Sequence, residues 1–195
     1  DPKQSPVARG FDRFYGTRNF IDSYFTVLPH CQVFLDDKEV LPGTETPVNH
    51  LHPEREWYTT DVFTDYALHF MDESFKKHAD QPLFLYLAYN APHFPIQPPK
   101  DWLEKVQKRE PQLDKKRATN VAFVEHMDHE IGKFLDTVKD IGIAEDTLIV
   151  FSSDNGGSLP HGALNGDLRG GKQDHWEGGI RVPTCAVWPG VITPG

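Results

Sequence analysis

Thr147-Leu-Ile-Val-Phe151 leads directly into Ser152-Ser-Asp-Asn-Gly-Gly157, and this junction decides the fold. The apolar run is typical of a strand that is buried on both faces of a sheet. An acid, an amide and two glycines follow at the carboxyl end of that strand, where open α/β sheets collect their ligands. We therefore expect Asp154 and Asn155 to hold a metal ion or an anion.

A second apolar run, Leu83–Tyr89, ends in the same way at Asn90-Ala-Pro-His93. Between the two runs, an apolar stripe from Val121 to Ile141 predicts an amphipathic helix of about six turns. The order strand, helix, strand indicates a right-handed parallel crossover. Such a crossover would bring His93 and Asp154 to the same edge of one sheet.

Shorter elements are predicted elsewhere in the chain. The strand predictions cover Gln32–Leu35, Val40–Leu41 and Thr184–Trp188, with a hairpin turn at Asp36-Asp37-Lys38. A helix is predicted to begin at Thr59 or Thr60, capped by that threonine, and to end near Lys77. A shorter helix is predicted over Trp102–Gln107.

Composition limits the classes of function. The 195 residues carry a formal net charge of -9 and no cluster of Lys and Arg, which argues against a nucleic-acid partner. An acidic chain is better suited to bind a hard cation than to bind a nucleic acid. No apolar run approaches the ~20 residues that are needed to span a bilayer.

The two cysteines, Cys31 and Cys185, form no Cys-x-x-Cys pair and lack the context of a modified catalytic cysteine. We therefore assign them no redox or zinc role, and their pairing in a disulfide stays open.

A third segment pairs glycines with a cation. It comprises Leu168-Arg-Gly-Gly-Lys172 and Trp176-Glu-Gly-Gly-Ile-Arg-Val-Pro183. Glycine pairs allow the main chain to pass close to a ligand, and Lys172 supplies a compact charge suited to a tetrahedral oxyanion such as sulfate or phosphate. We interpret Arg169 and Arg181 as bracing these loops through carboxylates such as Glu177.

Four blocks, taken in order, resemble the sulfatase family: Gly10-Phe-Asp-Arg-Phe-Tyr-Gly16, Phe84–His93, Phe151–Gly157 and Arg169-Gly-Gly-Lys172 through Pro183. The resemblance implies the alkaline-phosphatase-like α/β fold, a three-layer sandwich with a mostly parallel central sheet flanked by helices. It also implies hydrolysis of sulfate esters with the assistance of one calcium ion.

The same resemblance implies a role for each candidate site residue. Asp154 and Asn155 match a pair of calcium ligands of the family. His93 matches a histidine that contacts the sulfate and protonates the leaving oxygen. Lys172 matches a lysine that holds the sulfate group. The expected partner is a sulfated small molecule or glycan.

The sequence also departs from the family pattern. The family nucleophile is a formylglycine made from the Cys or Ser of a Cys/Ser-x-Pro-x-Arg motif, and this sequence contains no such motif. An early Asp-Asp calcium pair and a Gly-Lys-Trp-His-Leu-Gly block, which normally precede the Gly10–Gly16 block, are absent too. We therefore expect residues 1–195 to be an internal fragment of a single sulfatase catalytic domain, truncated at both ends and inactive alone.

Other interpretations of the single residues stay open. The Asp154-Asn155 segment can be a turn with Asx hydrogen bonds, His93 can satisfy a backbone carbonyl, and Lys172 can be a solvated cation. The pairs His50-x-His52 and His126-x-x-His129 invite a zinc reading, but neither has a third ligand at a suitable spacing.

Three functions are compatible with these patterns. The first is a calcium-assisted sulfatase acting on a sulfated carbohydrate or an aryl sulfate. The alternatives are a phosphoesterase of the same superfamily and an inactive fragment that binds a cation or a sulfated glycan. By family analogy alone, the protein is expected to be exported to the periplasm or the extracellular space, or to be lysosomal.

Overall fold

The computed structural model describes residues 5–19, 21–41, 43 and 47–195. The chain divides into two compact units, one ending at Gln97 and the other beginning at Pro98. The helices and strands of each unit follow in chain order.

The first unit contains a three-stranded antiparallel sheet of β1 (Tyr15–Thr17), β2 (Val33–Leu35) and β3 (Lys38–Leu41), in that order. The predicted hairpin is confirmed. Its turn includes Asp36, which has a φ of 56° and whose carboxylate accepts a hydrogen bond from the Phe14 N–H at 2.9 Å. An aspartate tolerates this left-handed conformation better than most residues do.

Helix α1 (Thr59–Lys77) completes the first unit and contacts β1. Among the described residues of this unit, one cluster of the apolar core contains six buried side chains: Val27, Val33, Leu41, Trp57, Val62 and Tyr66. The Tyr66 ring stacks on the Tyr15 ring of β1, with 3.5 Å between the ring centroids. We refer to these six side chains as the α1 core.

The extent of α1 is as predicted, but the expected threonine cap is wrong. The N-cap residue is Tyr58, which makes no capping hydrogen bond with its side chain. Thr59 lies inside the helix, and its N–H and hydroxyl both donate to the Tyr24 carbonyl, at 3.0 and 3.1 Å. The first turn is therefore satisfied by a distant loop and not by a local cap.

The second unit begins with helices α2 (Lys100–Arg109) and α3 (Lys115–Asp140), which pack around Val106, Ala118 and Ala122. The Asp114 carboxylate caps α3 by accepting hydrogen bonds from the N–H groups of Lys116 and Arg117, at 2.9 and 3.0 Å. The sequence analysis did not identify this cap.

The predicted apolar stripe on α3 is partly wrong. Val124, Leu135 and Ile141 are exposed, whereas His126 and Glu130 are buried. The buried face of α3 therefore includes polar side chains, which a search for apolar periodicity does not detect.

The second unit ends with β4 (Ile149–Ser152), the short helix α4 (Glu177–Ile180) and β5 (Thr184–Val187). Strands β4 and β5 pair antiparallel, which confirms two of the predicted strands. The prediction that β4 is buried on both faces is wrong, since the exposed fraction of Val150 is 62%.

The predicted strand Leu83–Tyr89 is not formed within the described part of the chain. A strand is defined by its ladder of hydrogen bonds to a neighbour, and these residues pair with none of the described strands. Both described sheets are antiparallel, so the expected parallel pairing is not seen among these residues. None of the described helices combines the length and apolarity that crossing a bilayer requires.

Candidate functional site

Asp154 and Asn155 follow directly after β4, at the position that the sequence predicts. The Ser153 N–H donates to the Pro183 carbonyl at 3.2 Å, and the Ser153 hydroxyl donates to the Asn155 carbonyl at 2.9 Å. These bonds fix the backbone of the two residues at the end of the strand.

The side-chain oxygens of this pair suit a hard cation. The Asn155 amide nitrogen donates to the Gly156 carbonyl at 3.0 Å, which leaves Oδ1 as its acceptor atom. Within residues 5–19, 21–41, 43 and 47–195, the Asp154 carboxylate makes no hydrogen bond or ion pair. A carboxylate and an amide oxygen are ligands that calcium prefers.

Six glycines of the second unit lie in three segments that contact one another, the first of which follows Asn155 directly, and we name them the glycine cluster: Gly156, Gly157, Gly170, Gly171, Gly178 and Gly179. Their main chains touch directly. The Gly156 N–H donates to the Gly179 carbonyl at 2.9 Å, and a Cβ atom added to Gly156 would lie 1.8 Å from the Gly178 oxygen. A Cβ atom added to Gly178 would lie 2.2 Å from the Gly170 oxygen. No side chain fits at either position, so glycine is required by close approach.

Lys172 is joined to the same cluster. Its N–H donates to the Gly157 carbonyl at 3.0 Å, which ties its segment to the segment carrying Asp154 and Asn155. The Lys172 side chain is half-buried, and its ammonium group has no partner among the described residues. The structure thus brings three of the four predicted site residues onto one backbone cluster.

Asn165 is a residue that sequence reasoning missed. Its Oδ1 accepts from the Gly157 N–H at 2.8 Å, and its amide nitrogen donates to the carbonyls of Gly157 and Gly170, at 3.3 and 2.9 Å. One side chain therefore joins two of the glycine pairs. In sequence, an Asn before Gly166 has the pattern of an ordinary turn, which gave no signal of this role.

The side chains of Arg169 and Arg181 contact different kinds of partner. Arg181 lies 3.7 Å from Glu177, the predicted carboxylate, but the two exposed side chains are only four residues apart, so bracing of the loops stays a prediction. For Arg169 the expected carboxylate is wrong, since its guanidinium lies over the Trp176 ring at 3.6 Å from the centroid. An arginine guanidinium stacks well on an indole face.

His93 lies in the first unit. Its Nδ1 is 2.6 Å from the Phe94 carbonyl oxygen, and since a carbonyl only accepts, Nδ1 carries the proton of this bond. Nε2 is then the ring nitrogen that carries no hydrogen in the neutral ring. The backbone-carbonyl contact that was left open as an alternative is thus present, and it fixes the tautomer.

The His93 loop is braced by Tyr24, whose hydroxyl donates to the His93 carbonyl at 3.2 Å. Burial raises the pKa of Tyr24 far above its usual value, so the hydroxyl stays a neutral donor at physiological pH. The meeting of His93 with Asp154, Asn155 and Lys172 at one site stays a prediction.

The two histidine pairs show ordinary contacts. The rings of His126 and His129 both pack against Trp102, with centroids 5.6 and 5.4 Å away. His52 Nδ1 lies 3.3 Å from Glu54 Oε1.

Comparison with known proteins gives a consistent result. The family model described as Sulfatase matches residues 1–194. The human N-acetylgalactosamine-6-sulfatase is 32% identical over 201 residues, covering 100% of this chain and 36% of the relative. A sulfatase from Formosa agariphila is 37% identical over 147 residues, covering 70% of this chain and 26% of the relative.

Solved structures agree. The crystal structure of Ps i-CgsB in complex with k-i-k-neocarrahexaose matches with a TM-score of 0.81 and 31% identity, covering 97% of this chain and 42% of that chain. The predicted alkaline-phosphatase-like α/β fold class is thereby confirmed. The chain spans less than half the length of these proteins. By its sequence and its fold, the chain belongs to the sulfatase family.

Proposed function

We propose that the protein carrying this chain is a sulfuric ester hydrolase that releases inorganic sulfate. One observation carries the proposal: the oxygen-bearing side chains of Asp154 and Asn155 and the ammonium-bearing side chain of Lys172 lie on segments that the bond from Lys172 N–H to the Gly157 carbonyl joins within the glycine cluster. A sulfate group needs positive charge at its oxygens, and this arrangement offers it from two sources.

The proposed cofactor is one calcium ion held by Asp154 and Asn155. The donor set fits, because both side chains present oxygen and the Asn155 amide nitrogen is occupied by the Gly156 carbonyl. When bound, the ion would offset negative charge on the sulfate oxygens. Calcium takes about six to eight oxygen ligands, so these two residues would supply part of its shell.

Lys172 is proposed to hold the sulfate group. The bond to the Gly157 carbonyl holds the Lys172 backbone in place, so the ammonium group reaches the sulfate oxygens from a fixed backbone position. A preorganised charge of this kind contributes on the order of 3 kcal/mol to transition-state stabilisation.

His93 is proposed to act as the general acid. The bond from Nδ1 to the Phe94 carbonyl leaves Nε2 as the atom that delivers a proton to the leaving oxygen. A positioned proton donor typically contributes ~10²–10⁴-fold in rate.

The nucleophile is proposed to be a formylglycine encoded outside these 195 residues, since the sequence contains no Cys/Ser-x-Pro-x-Arg motif. The 195-residue chain is accordingly expected to be inactive by itself. Among substrates, we propose a sulfated carbohydrate ahead of an aryl sulfate, because one relative is an N-acetylgalactosamine-6-sulfatase and one structural neighbour is a complex with a neocarrahexaose. Export or lysosomal delivery is proposed by family analogy.

The test uses the full-length protein in its formylglycine form. Sulfate released from a sulfated oligosaccharide is measured by ion chromatography, with the matching phosphate ester as comparison. Lys172→Ala is expected to lower kcat/KM about 100-fold, corresponding to the loss of one preorganised charge. Lys100→Ala is the matched control, because that side chain is 91% exposed at the start of α2.

Release of phosphate without release of sulfate would favour the phosphoesterase alternative. Binding of the sulfated oligosaccharide without turnover would favour the inactive binding fragment. Equal activity of Lys172→Ala and Lys100→Ala would remove Lys172 from the site.

His93 has its own test. His93→Gln is expected to slow hydrolysis of an alkyl sulfate by ~10² or more, and to slow an aryl sulfate much less, because a phenoxide leaves without protonation. Equal losses on both substrates would indicate that the ring only orders its loop.

A further inference from the structure

Three side chains of one loop in the first unit, Asp22, His30 and Cys31, place metal-binding atoms close together. One ligand atom from each lies within 4.8 Å of the other two. His30 Nε2 is 2.5 Å from Asp22 Oδ2. The Cys31 side chain is buried, whereas Asp22 and His30 are partly open to solvent.

The chemistry of this trio selects a metal. Calcium and magnesium take oxygen ligands, while thiolate, imidazole and carboxylate together are the ligand types of zinc. Tetrahedral zinc with its usual bond lengths spaces its ligand atoms by roughly 3.3–3.8 Å. Ligand atoms up to 4.8 Å apart would therefore close by about 1 Å, and the 2.5 Å contact between His30 Nε2 and Asp22 Oδ2 would open by about as much. A carboxylate and a thiolate also carry the two negative charges that balance a divalent ion.

The loop is already folded around these atoms. The Cys31 N–H donates to the Leu28 carbonyl at 2.8 Å, and the Asn19 side chain donates to the His30 carbonyl at 3.0 Å. The Ser23 hydroxyl oxygen accepts from the N–H of Thr26 at 3.1 Å. Ligands held in this way need little further ordering when a metal binds.

We propose that Asp22, His30 and Cys31 form a zinc site with a fourth position open to water. This proposal goes beyond the sulfatase reaction. It also replaces our expectation that Cys31 has no zinc role: the ligand pair His30-Cys31 is adjacent in sequence and its partner lies eight residues earlier, a spacing that no Cys-x-x-Cys search detects.

The site has a structural role. Tyr24 lies between Asp22 and His30 in the sequence. Its N–H donates to Gln97 Oε1 at 2.9 Å, and its hydroxyl donates to the His93 carbonyl. A metal that closes the Asp22–Cys31 loop therefore steadies the residue that braces His93. Zinc here orders the loop and takes no part in sulfate chemistry.

The test is a titration of the full-length protein with Co²⁺, in excess Ca²⁺ to occupy oxygen-ligand sites. A thiolate-to-cobalt charge-transfer absorption is expected at one equivalent and is expected to disappear when Zn²⁺ is added. Cys31→Ser should abolish this absorption. Cys185→Ser is the matched control, because Cys185 is exposed in the second unit and is expected to leave the absorption unchanged.

Asp22→Asn and His30→Asn keep the test valid if a change at buried Cys31 disturbs folding, because both side chains are at the surface. Each should weaken Co²⁺ binding at least about 10-fold. The proposal is overturned if no charge-transfer absorption forms at one equivalent, if Cys185→Ser removes it, or if both asparagine variants bind Co²⁺ as the natural protein does. None of these outcomes depends on sulfate release.

Discussion

The α1 core of the first unit and the glycine cluster of the second hold their segments by opposite means. In the α1 core, large side chains such as Trp57, Val62 and Tyr66 fill the space between the helix and the sheet. In the glycine cluster, main chain meets main chain, as the 1.8 Å separation for an added Gly156 Cβ shows. The first arrangement loses stability in proportion to the volume removed, whereas the second does not tolerate any added atom.

This difference bears on function. Asp154, Asn155 and Lys172 adjoin the glycine cluster, where the main chains are hydrogen-bonded and too close for an added Cβ atom. A rigid backbone is what a preorganised site requires, since its charges must be in place before the reaction begins. The α1 core supplies stability, and the glycine cluster supplies position.

Gly156→Ala is the most severe test of the difference between the glycine cluster and the α1 core. The added methyl group meets the Gly178 carbonyl, so we expect a loss of about 4 kcal/mol or more in the local stability of residues 153–179. Hydrogen exchange at the Lys172 amide, which donates to the Gly157 carbonyl, measures this loss.

Gly132→Ala is the matched control for that change. Gly132 lies within α3 and has no atom within 4 Å of an added Cβ, so alanine should stabilise the helix by about 0.5–1 kcal/mol. Retained protection of the Lys172 amide in Gly156→Ala would show that the close approach is not required.

A smaller effect is expected in the α1 core from Val62→Ala. Val62 is fully buried, so removing two methyl groups should lower the stability of α1 by roughly 2–3 kcal/mol through lost burial and an incompletely closed cavity. Hydrogen exchange of the α1 amides measures it. Val48→Ala, at a side chain that is 46% exposed, should change stability by less than about 0.5 kcal/mol. Equal effects at the two valines would contradict the role assigned to the core.

Asn165 tests whether polar side chains also hold the glycine cluster. Asn165→Ala should cost about 0.5–1.5 kcal/mol locally, because half-buried main-chain groups lose their hydrogen-bond partners. Asn165→Asp keeps an acceptor for the Gly157 N–H but turns a carboxylate towards the Gly157 and Gly170 carbonyls, so it should be at least as damaging. The Gly157 amide reports both changes by hydrogen exchange. An aspartate variant as stable as the natural protein would show that the donated bonds contribute nothing.

The smallest effect concerns a surface pair that belongs to neither region. The hydrogen bond from Lys105 lowers the pKa of the Asp101 carboxyl below its usual value. Because the folded-state pKa is depressed, the stabilisation is present above the unfolded carboxyl pKa of about 3.9 and is lost as the pH falls through the lower folded value.

Asp101→Asn should therefore lower stability by about 0.3–0.5 kcal/mol at neutral pH and by nothing in strong acid. Urea unfolding at both pH values measures the difference. A double-mutant cycle with Lys105→Met isolates the pair, and a coupling energy that persists in strong acid would contradict its electrostatic origin.

Local patterns predicted most elements well. The β2–β3 hairpin, α1 and the strand before Asp154 follow from alternation, helical periodicity and turn residues, all of which act over a few positions. The positions of Asp154, Asn155 and Lys172 around glycines were also readable, because glycine pairs are a direct signal of close backbone approach.

Features that depend on contacts between distant parts of the chain could not be predicted from the sequence. The support of Thr59 by the Tyr24 carbonyl and the bridging by Asn165 each join distant parts of the chain. The burial of Glu130 on α3 depends on neighbours that a helical pattern does not encode. Residues Leu83–Tyr89 read as a strand from their composition, but a strand also needs a paired neighbour, which sequence periodicity does not supply.

The two-stranded sheet of β4 and β5 has a practical consequence. Val150 on one face and Val187 on the other are 62% and 51% exposed, and Leu148 beside them is 50% exposed. Uncovered apolar strands of this kind invite edge-to-edge association between molecules. Solutions of the isolated 195-residue polypeptide are therefore expected to self-associate as concentration rises, and light scattering across a dilution series would detect it.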